Sequence, residues 1–384
     1  MNLANRLNNI QEYYFSNKLR EIDQLKKNGI DVINLGIGNP DFPPAKEVIE
    51  TLNIESKNPS NHGYQGYKGI EELRNAYAQW YQKYFKVNLL AGEEILPLMG
   101  SKEGIMHISL AFLEKGSQVL IPNPGYPAYA SAAKIAEAEI IHYDLTERGS
   151  WLPNIEELEK LDLSKVKIMW VNYPNMPTGH VASSKELKQI ADFGKRNNIL
   201  ICNDNPYAFI LNENHQSILQ FNDSKTHILE LNSLSKSHNM AGWRLGMIGA
   251  KKELIEAILK VKSNMDSGMF YPIQKAAITA LELPESWYKN INENYIKRRK
   301  IIWEILDLLG CSYSKNSVGM FVWAKLPLKE ESSFNFSDKI LNKHGVFITP
   351  GDIFGSNGKG FIRPSLCNNE KTLQIVKERL QKDN

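Results

Sequence analysis

Residues 233–246 read SLSKSHNMAGWRLG, and the residue types in this stretch decide how the rest of the chain is read. Lys236 stands between small hydroxyl residues, Arg244 follows eight positions later, and the apolar run LGMIGA (245–250) comes directly after. Serine hydroxyls and a guanidinium together suit a bound phosphate dianion, the arginine through a planar fork that lysine lacks. An amine beside such a phosphate is placed to form a Schiff base with a phosphorylated aldehyde. That combination points to pyridoxal 5'-phosphate, held by Ser233, Ser235 and Arg244 and joined to Lys236, and it predicts further residues at definite places.

The first is an acid for the pyridine nitrogen, since a carboxylate there keeps the ring protonated and able to draw electrons from the substrate. The apolar run ILIC (199–202) reads as a buried strand ended by NDNPY (203–207). Asp204 therefore falls at a strand's carboxyl end, where open α/β sheets place ligands, and Tyr207 three residues on can donate to the cofactor's phenolic oxygen. The second is a phosphate cradle. LMGSKEGI (98–105) enters an amphipathic segment, so Gly100, Ser101 and Lys102 open a helix whose first-turn N–H groups bind an anion. The third is a stacking ring: VLIP (119–122) reads as a strand that leaves through NPGYPAY (123–129), which offers Tyr126 to one face of a flat pyridine.

With these residues in place, the chain resembles a class I/II aminotransferase, a fold-type I enzyme of the aspartate aminotransferase superfamily. The likeness runs from LGIGNPDFPP (35–44) to GFIRPS (360–365). The resemblance implies that Lys236 carries the cofactor and that Asp204, Tyr207, Tyr126, Ser233, Ser235 and Arg244 hold it. It also implies that Arg363 clamps the substrate's α-carboxylate, with the backbone of Gly38 approaching the same group. Tyr64, in HGYQGYKGIEELR (62–74), resembles the tyrosine that reaches the phosphate across a homodimer interface.

One position departs from the family's pattern. Where relatives read P-x-N-P-T-G, this chain has PNMPTG (174–179), so Met176 replaces an asparagine that shares the phenolic oxygen with the tyrosine. A thioether donates no hydrogen bond. The expectation is that Tyr207 carries the contact mostly alone, or that Asn175 or Asn205 swings in.

Bulk properties bound the alternatives. At 384 residues, with 42% hydrophobic and 23% charged residues, the chain is long enough for two domains with a large core. Forty-six basic against 43 acidic residues leave a net charge of +3, which gives no electrostatic case for nucleic acid. Three scattered cysteines without CxxC spacing fit a reducing compartment, and the eight histidines make no HxxxH or HExxH pair that would support a metal. The amino terminus is polar, neither signal peptide nor membrane span, so a cytoplasmic protein is expected.

Strands are expected at 119–122, 166–172, 199–202, 227–231 and 245–249, with helices between several of them, one opened by the capping box of Ser183 and Glu186. That alternation predicts an α/β fold, a large domain with a mostly parallel, helix-covered sheet. A long helix from INENYIKRRKIIWEILDLLG (291–310) leads into a smaller α+β domain. The expected division is 46–289 for the large domain, with 1–45 folding back onto 290–384, so that Gly38 and Arg363 meet over the cofactor. The reaction implied is transfer of an amino group from an L-amino acid, aspartate or LL-diaminopimelate, to a 2-oxo acid such as 2-oxoglutarate, with ping-pong kinetics. The alternatives are a carbon–sulfur β-lyase using the same lysine, and a non-catalytic binding protein that keeps the fold.

Overall fold

The computed structural model describes residues 3–382, apart from 5, 8, 9, 11, 13, 222–225 and 331. The polar amino-terminal stretch falls partly outside the described residues; continuous description begins at Tyr14, where the helix Tyr14–Lys27 starts. Strand β1 (Ile33–Asn34) follows that helix.

A central sheet is built from β2 (Ile95–Leu98), β3 (Gln118–Asn123), β4 (Glu139–Asp144), β5 (Val166–Val171), β6 (Leu200–Asp204), β7 (Ile228–Ser233) and β8 (Gly246–Ala250). Their order is β2-β8-β7-β6-β5-β3-β4, parallel throughout except for β8, which runs antiparallel to both neighbours. The five expected strands are β3, β5, β6, β7 and β8. The two edge strands, β2 and β4, have no counterpart in the sequence reading. Pro97 sits inside β2, which is tolerated only at an edge. β4, EIIHYD, carries polar residues along its length because one side of it has no neighbouring strand.

The reversal at β8 explains the spacing of the opening motif. Ser233 ends β7 directly opposite Gly246, which starts β8. The connecting residues 234–245 therefore leave and return at the same end of the sheet, and Arg244 comes back beside the serines that precede Lys236. The lysine itself sits on a single helical turn, Leu234–Ser237, rather than on an open loop.

Helices cover both faces of the sheet. The helix Ser184–Asn197 is opened by the full capping box, with Ser183 Oγ accepting from Glu186 N at 3.3 Å and Ser183 N donating to Glu186 Oε2 at 2.6 Å. Two apolar clusters, one on each side, bury Trp80, Tyr81 and Phe193 in one case and Trp170, Tyr129 and Ile248 in the other.

The helix Glu285–Leu308 starts six residues earlier than expected, after Pro284, and runs unbroken through residue 289. Beyond it lie β9 (Ser312–Tyr313), β10 (Ala324–Lys325), β11 (Val346–Phe347), β12 (Thr349–Pro350) and β13 (Phe361–Arg363). Four of these form a small sheet in the order β12-β13-β10-β9, while β11 pairs in parallel with β1. Leu35 N donates to Phe347 O at 2.8 Å and Ser365 N to Leu35 O at 2.7 Å, so the segment after β1 is threaded between carboxyl-terminal elements. Among the described residues no helix is long and apolar enough to cross a membrane.

Candidate active site

A cavity of about 330 Å³ opens at the carboxyl ends of β5, β6 and β7, the crevice where sheets of this kind receive ligands. Lys236 projects into it from its helical turn and donates from Nζ to Gly38 O at 2.6 Å. Burial lowers the lysine's pKa; Cys367 opposes the shift, and the Arg363 and Arg244 guanidiniums add to it. An amine so placed is more often neutral, and hence nucleophilic, than an exposed one.

Asp204, the last residue of β6, lines the same cavity at 6% exposure. Its Oδ2 accepts from the hydroxyl of Tyr129 at 2.9 Å, whereas its Oδ1 is buried without a hydrogen-bond partner. Burial pushes the carboxyl up to about 6; the Tyr129 bond works against this and the nearby Glu230 works with it. Tyr129 is itself held by stacking on Trp170, with ring centroids 4.9 Å apart and 5° between planes. Tyr126 meets Tyr129 edge-on at 5.6 Å, and both tyrosines line the cavity along with Tyr207.

Ser101, Lys102, Ser233, Ser235 and Arg244, the side chains expected at a phosphate, all line the cavity. Gly100 has φ +88°, and a Cβ there would lie 2.2 Å from an Arg244 guanidinium nitrogen, so only glycine lets the arginine approach the start of the helix Ser101–Phe112. Arg244 holds a left-handed backbone, φ +56°, and donates from one guanidinium nitrogen to Ala241 O at 2.9 Å. Ser233 Oγ and Ser235 Oγ lie 2.8 Å apart. Ser101 lines the cavity with its hydroxyl on Asn232 O at 3.3 Å, and the exposed Lys102 stands next to it.

At the other end Arg363 is 4% exposed and sandwiched between aromatic rings, 3.8 Å from the centroid of Phe321 and 4.6 Å from that of Phe354. Its fork donates to Gly36 O at 2.9 Å and to Met176 Sδ at 3.1 Å. A Cβ on Gly38 would lie 2.1 Å from the Phe321 ring. Gly38 and Arg363 both line the cavity.

Three residues named from the sequence do not line this cavity. Tyr64 is 94% exposed and lies outside this cavity. Neither Asn175 nor Asn205 lines it: the Asn175 side chain accepts from Thr178 Oγ1 at 2.7 Å, and Asn205 Nδ2 donates to Gln216 O at 3.0 Å. The amide facing the cavity is Asn172, whose Oδ1 accepts from Met176 N at 2.7 Å and whose Nδ2 donates to Asp204 O. Asn172, Tyr129, Phe15, Phe321 and Phe354 are cavity residues that the sequence reading does not find. His238, two beyond the lysine, is buried and pushed down to about 3 by that burial; Tyr288 OH lies 3.0 Å from its ring.

The residues present fit pyridoxal 5'-phosphate. Asp204, one of whose buried oxygens has no partner, lines a cavity that also holds a buried amine, and the Arg244 guanidinium packs against Gly100 at a helix start. Elsewhere Glu103, His107 and Asp266 bring ligand atoms within 4.8 Å of one another, but the Lys262 ammonium, 2.7 Å from Asp266, already supplies the positive charge there.

The profile of the family described as aminotransferase class I and II matches residues 30–380. A protein of Dehalococcoides mccartyi named LL-diaminopimelate aminotransferase is 39% identical over 371 residues, covering 95% of each chain. A protein of Moorella thermoacetica with the same name is 37% identical over 384 residues, covering 100% of this chain and 98% of its own. Among solved structures, apo-BacF from Bacillus subtilis superposes with a TM-score of 0.96 at 34% identity, covering 100% of this chain and 98% of the other.

Proposed function

The chain belongs to the class I and II aminotransferases, which depend on pyridoxal phosphate, and on that footing we propose how its own residues divide the work and which donor it takes. The reading is carried by one observation: a buried amine, a carboxylate oxygen without a partner and a guanidinium between two rings line a single cavity.

Bound there, the cofactor supplies an electron-withdrawing ring that stabilises charge developing at the substrate's α carbon. Asp204 offers Oδ1 to the pyridine nitrogen, and Tyr129 fixes the carboxylate from the other side. Tyr126 covers one face of the ring and Tyr207 donates to its phenolic oxygen. The first turn at Gly100, Ser101 and Lys102 holds the phosphate together with Ser233, Ser235 and Arg244. Lys236 retains the cofactor and, once its amine is free, moves the proton lost from the α carbon. Arg363 and the backbone at Gly38 orient the α-carboxylate shared by the amino acid and the 2-oxo acid, so both halves of the reaction use one clamp.

The donor is LL-diaminopimelate or aspartate and the acceptor 2-oxoglutarate; the names of the relatives favour diaminopimelate. The enzyme works as a homodimer in which Tyr64 reaches the partner's cavity. Its 94% exposure, beside Tyr67 at 45% and Phe270 at 40%, leaves an aromatic patch that suits a second copy of the chain. Three buried, unbridged cysteines suit residence in the cytoplasm. Residues 46–289 form the cofactor-binding unit, and 1–45 with 290–384 form the smaller one.

The test is a panel of amino donors, LL-diaminopimelate, aspartate, aromatic amino acids and methionine, each against 2-oxoglutarate. Ketoacid formation with the highest kcat/KM for diaminopimelate is expected. Pyruvate release from cystathionine without an acceptor would replace this reading with a β-lyase. Sedimentation of the purified protein at twice the chain mass checks the dimer.

A further inference from the structure

The carboxylate clamp depends on a piece of chain with little regular structure to hold it. After β1 the backbone runs on through Gly36, Gly38 and Asp41 without joining another strand. Two of the bonds that fasten it come from site residues: Arg363 donates to Gly36 O at 2.9 Å and Lys236 to Gly38 O at 2.6 Å. Those groups are the ones that must turn to substrate and cofactor when the site fills. Thr349 Oγ1, which donates to Gly36 O at 2.9 Å, and Asn239 Nδ2, which donates to Pro43 O at 3.3 Å, remain towards its two ends, and something else has to hold the stretch at Asp41.

That something is buried in the helix Glu285–Leu308. Arg298 is 1% exposed and grips Asp41 with both arms of its fork, Nη1 to Oδ1 at 2.6 Å and Nη2 to Oδ2 at 2.9 Å. The same Nη1 donates to Leu366 O at 3.2 Å, and the guanidinium lies 4.3 Å from the Phe42 ring centroid. Asp41 is three residues after Gly38, and Leu366 is three residues after Arg363. One guanidinium thus ties together the two stretches that carry the two halves of the carboxylate site. A planar fork fixes direction as well as distance, which a lysine ammonium would not.

We propose that Arg298, through Asp41 and Leu366, is the positioning residue of the α-carboxylate clamp. It keeps segment 36–41 against residues 363–366 while Lys236 and Arg363 let go of that segment to engage ligand. The proposal rests on Arg363 being the carboxylate clamp. Because both substrates present the same carboxylate, loosening the clamp weakens the amino acid and the 2-oxo acid alike.

The experiment compares wild type with Arg298→Lys, with Asp41→Asn and with the apolar double variant Arg298→Met/Asp41→Leu, each loaded with cofactor. KM for donor and for 2-oxoglutarate, kcat, cofactor content and melting temperature are measured. Each single variant is expected to raise both KM values by a similar factor, roughly tenfold, with kcat and cofactor content within about threefold of wild type. The double variant, which removes the buried Arg298 charge together with that of the more exposed Asp41, is expected to recover melting temperature but not KM. Unchanged KM in Asp41→Asn, which keeps the side chain's shape, would overturn the proposal. So would a double variant whose KM recovers together with its stability, since that marks a purely structural pair. If wild type itself transaminates with no donor, the functional reading fails and this inference goes with it.

Discussion

The hydroxyl of Tyr129 donates a 2.9 Å hydrogen bond to Oδ2 of Asp204, and the opposite oxygen of that carboxylate has no partner. The two oxygens are therefore not equivalent: one is fixed by the protein and the other is left for a ligand. Tyr129 can do this because its ring is stacked on Trp170 and cannot swing away without losing that contact.

Tyr129→Phe keeps the stacking and removes only the donor. The bond stabilises the ionised carboxylate, so its loss drives Asp204 further towards the neutral form and weakens the charge-assisted contact to the pyridine nitrogen. The dissociation constant for pyridoxal 5'-phosphate should rise roughly five- to tenfold, measured by equilibrium titration of apoprotein. A value within twofold of wild type would show that Asp204 needs no such support.

How far the sequence foretells this site depends on the range of the interaction. The runs 166–172 and 199–202 mark β5 and β6 because both lie inside the sheet and are apolar for most of their length. The S-x-S-K-x7-R pattern is legible because β7 and β8 bring Ser233 and Gly246 opposite one another, which makes a local string of a spatial cluster. Tyr129 offers only a weak signal, a second tyrosine one helical turn after Tyr126. Asn172 and Asp204 are 32 residues apart, and Arg298 and Asp41 are 257 apart, so no local pattern links either pair. Edge strands β2 and β4 escape because a side without a neighbouring strand admits proline into the buried β2 and polar residues into the more exposed β4.

Asp204 also carries a pH signature in the apoprotein. Its ordinary value is 3.8 and burial raises it to about 6 in the fold, so between these values the folded state binds more protons than the unfolded one. Stability from this group is thus greatest at low pH, falls as pH rises from 3.8 to about 6, and above that the buried charge opposes folding in full. Asp204→Asn is neutral throughout and can still accept from Tyr129. Apo Asp204→Asn should be more stable than apo wild type at pH 7.5, by about 2–3 kcal/mol at most, with the gap closing near pH 4. Calorimetric melting at the two pH values checks it; a gap independent of pH would contradict the assignment.

Met176 places a sulfur, not an amide, beside Arg363. With Asn175 and Asn205 engaged elsewhere, no asparagine from that part of the chain replaces it, and Asn172 already uses its amide on Met176 and Asp204. Met176→Asn adds a donor able to stabilise the cofactor's phenolic oxygen in its ionised form. The visible absorbance of the loaded variant should titrate at lower pH than wild type, by roughly half to one unit. An unchanged titration would mean that the phenolic oxygen lies out of reach of position 176.

Lys236 is the residue on which the reaction turns, and its surroundings prepare it. Burial, with two arginines in the same cavity, lowers the amine's pKa, which raises the neutral fraction available to attack an aldehyde. Lys236→Ala removes that amine but leaves Asp204, Tyr126, Ser233 and Arg244, so the variant should still take up cofactor reversibly while kcat falls by at least about a thousandfold. Borohydride treatment followed by peptide mapping should place a covalent adduct at position 236 in wild type and none in the variant. Appreciable transamination by Lys236→Ala, or a wild-type adduct on another lysine such as Lys102 at the mouth of the cavity, would move the chemistry away from the helical turn after β7.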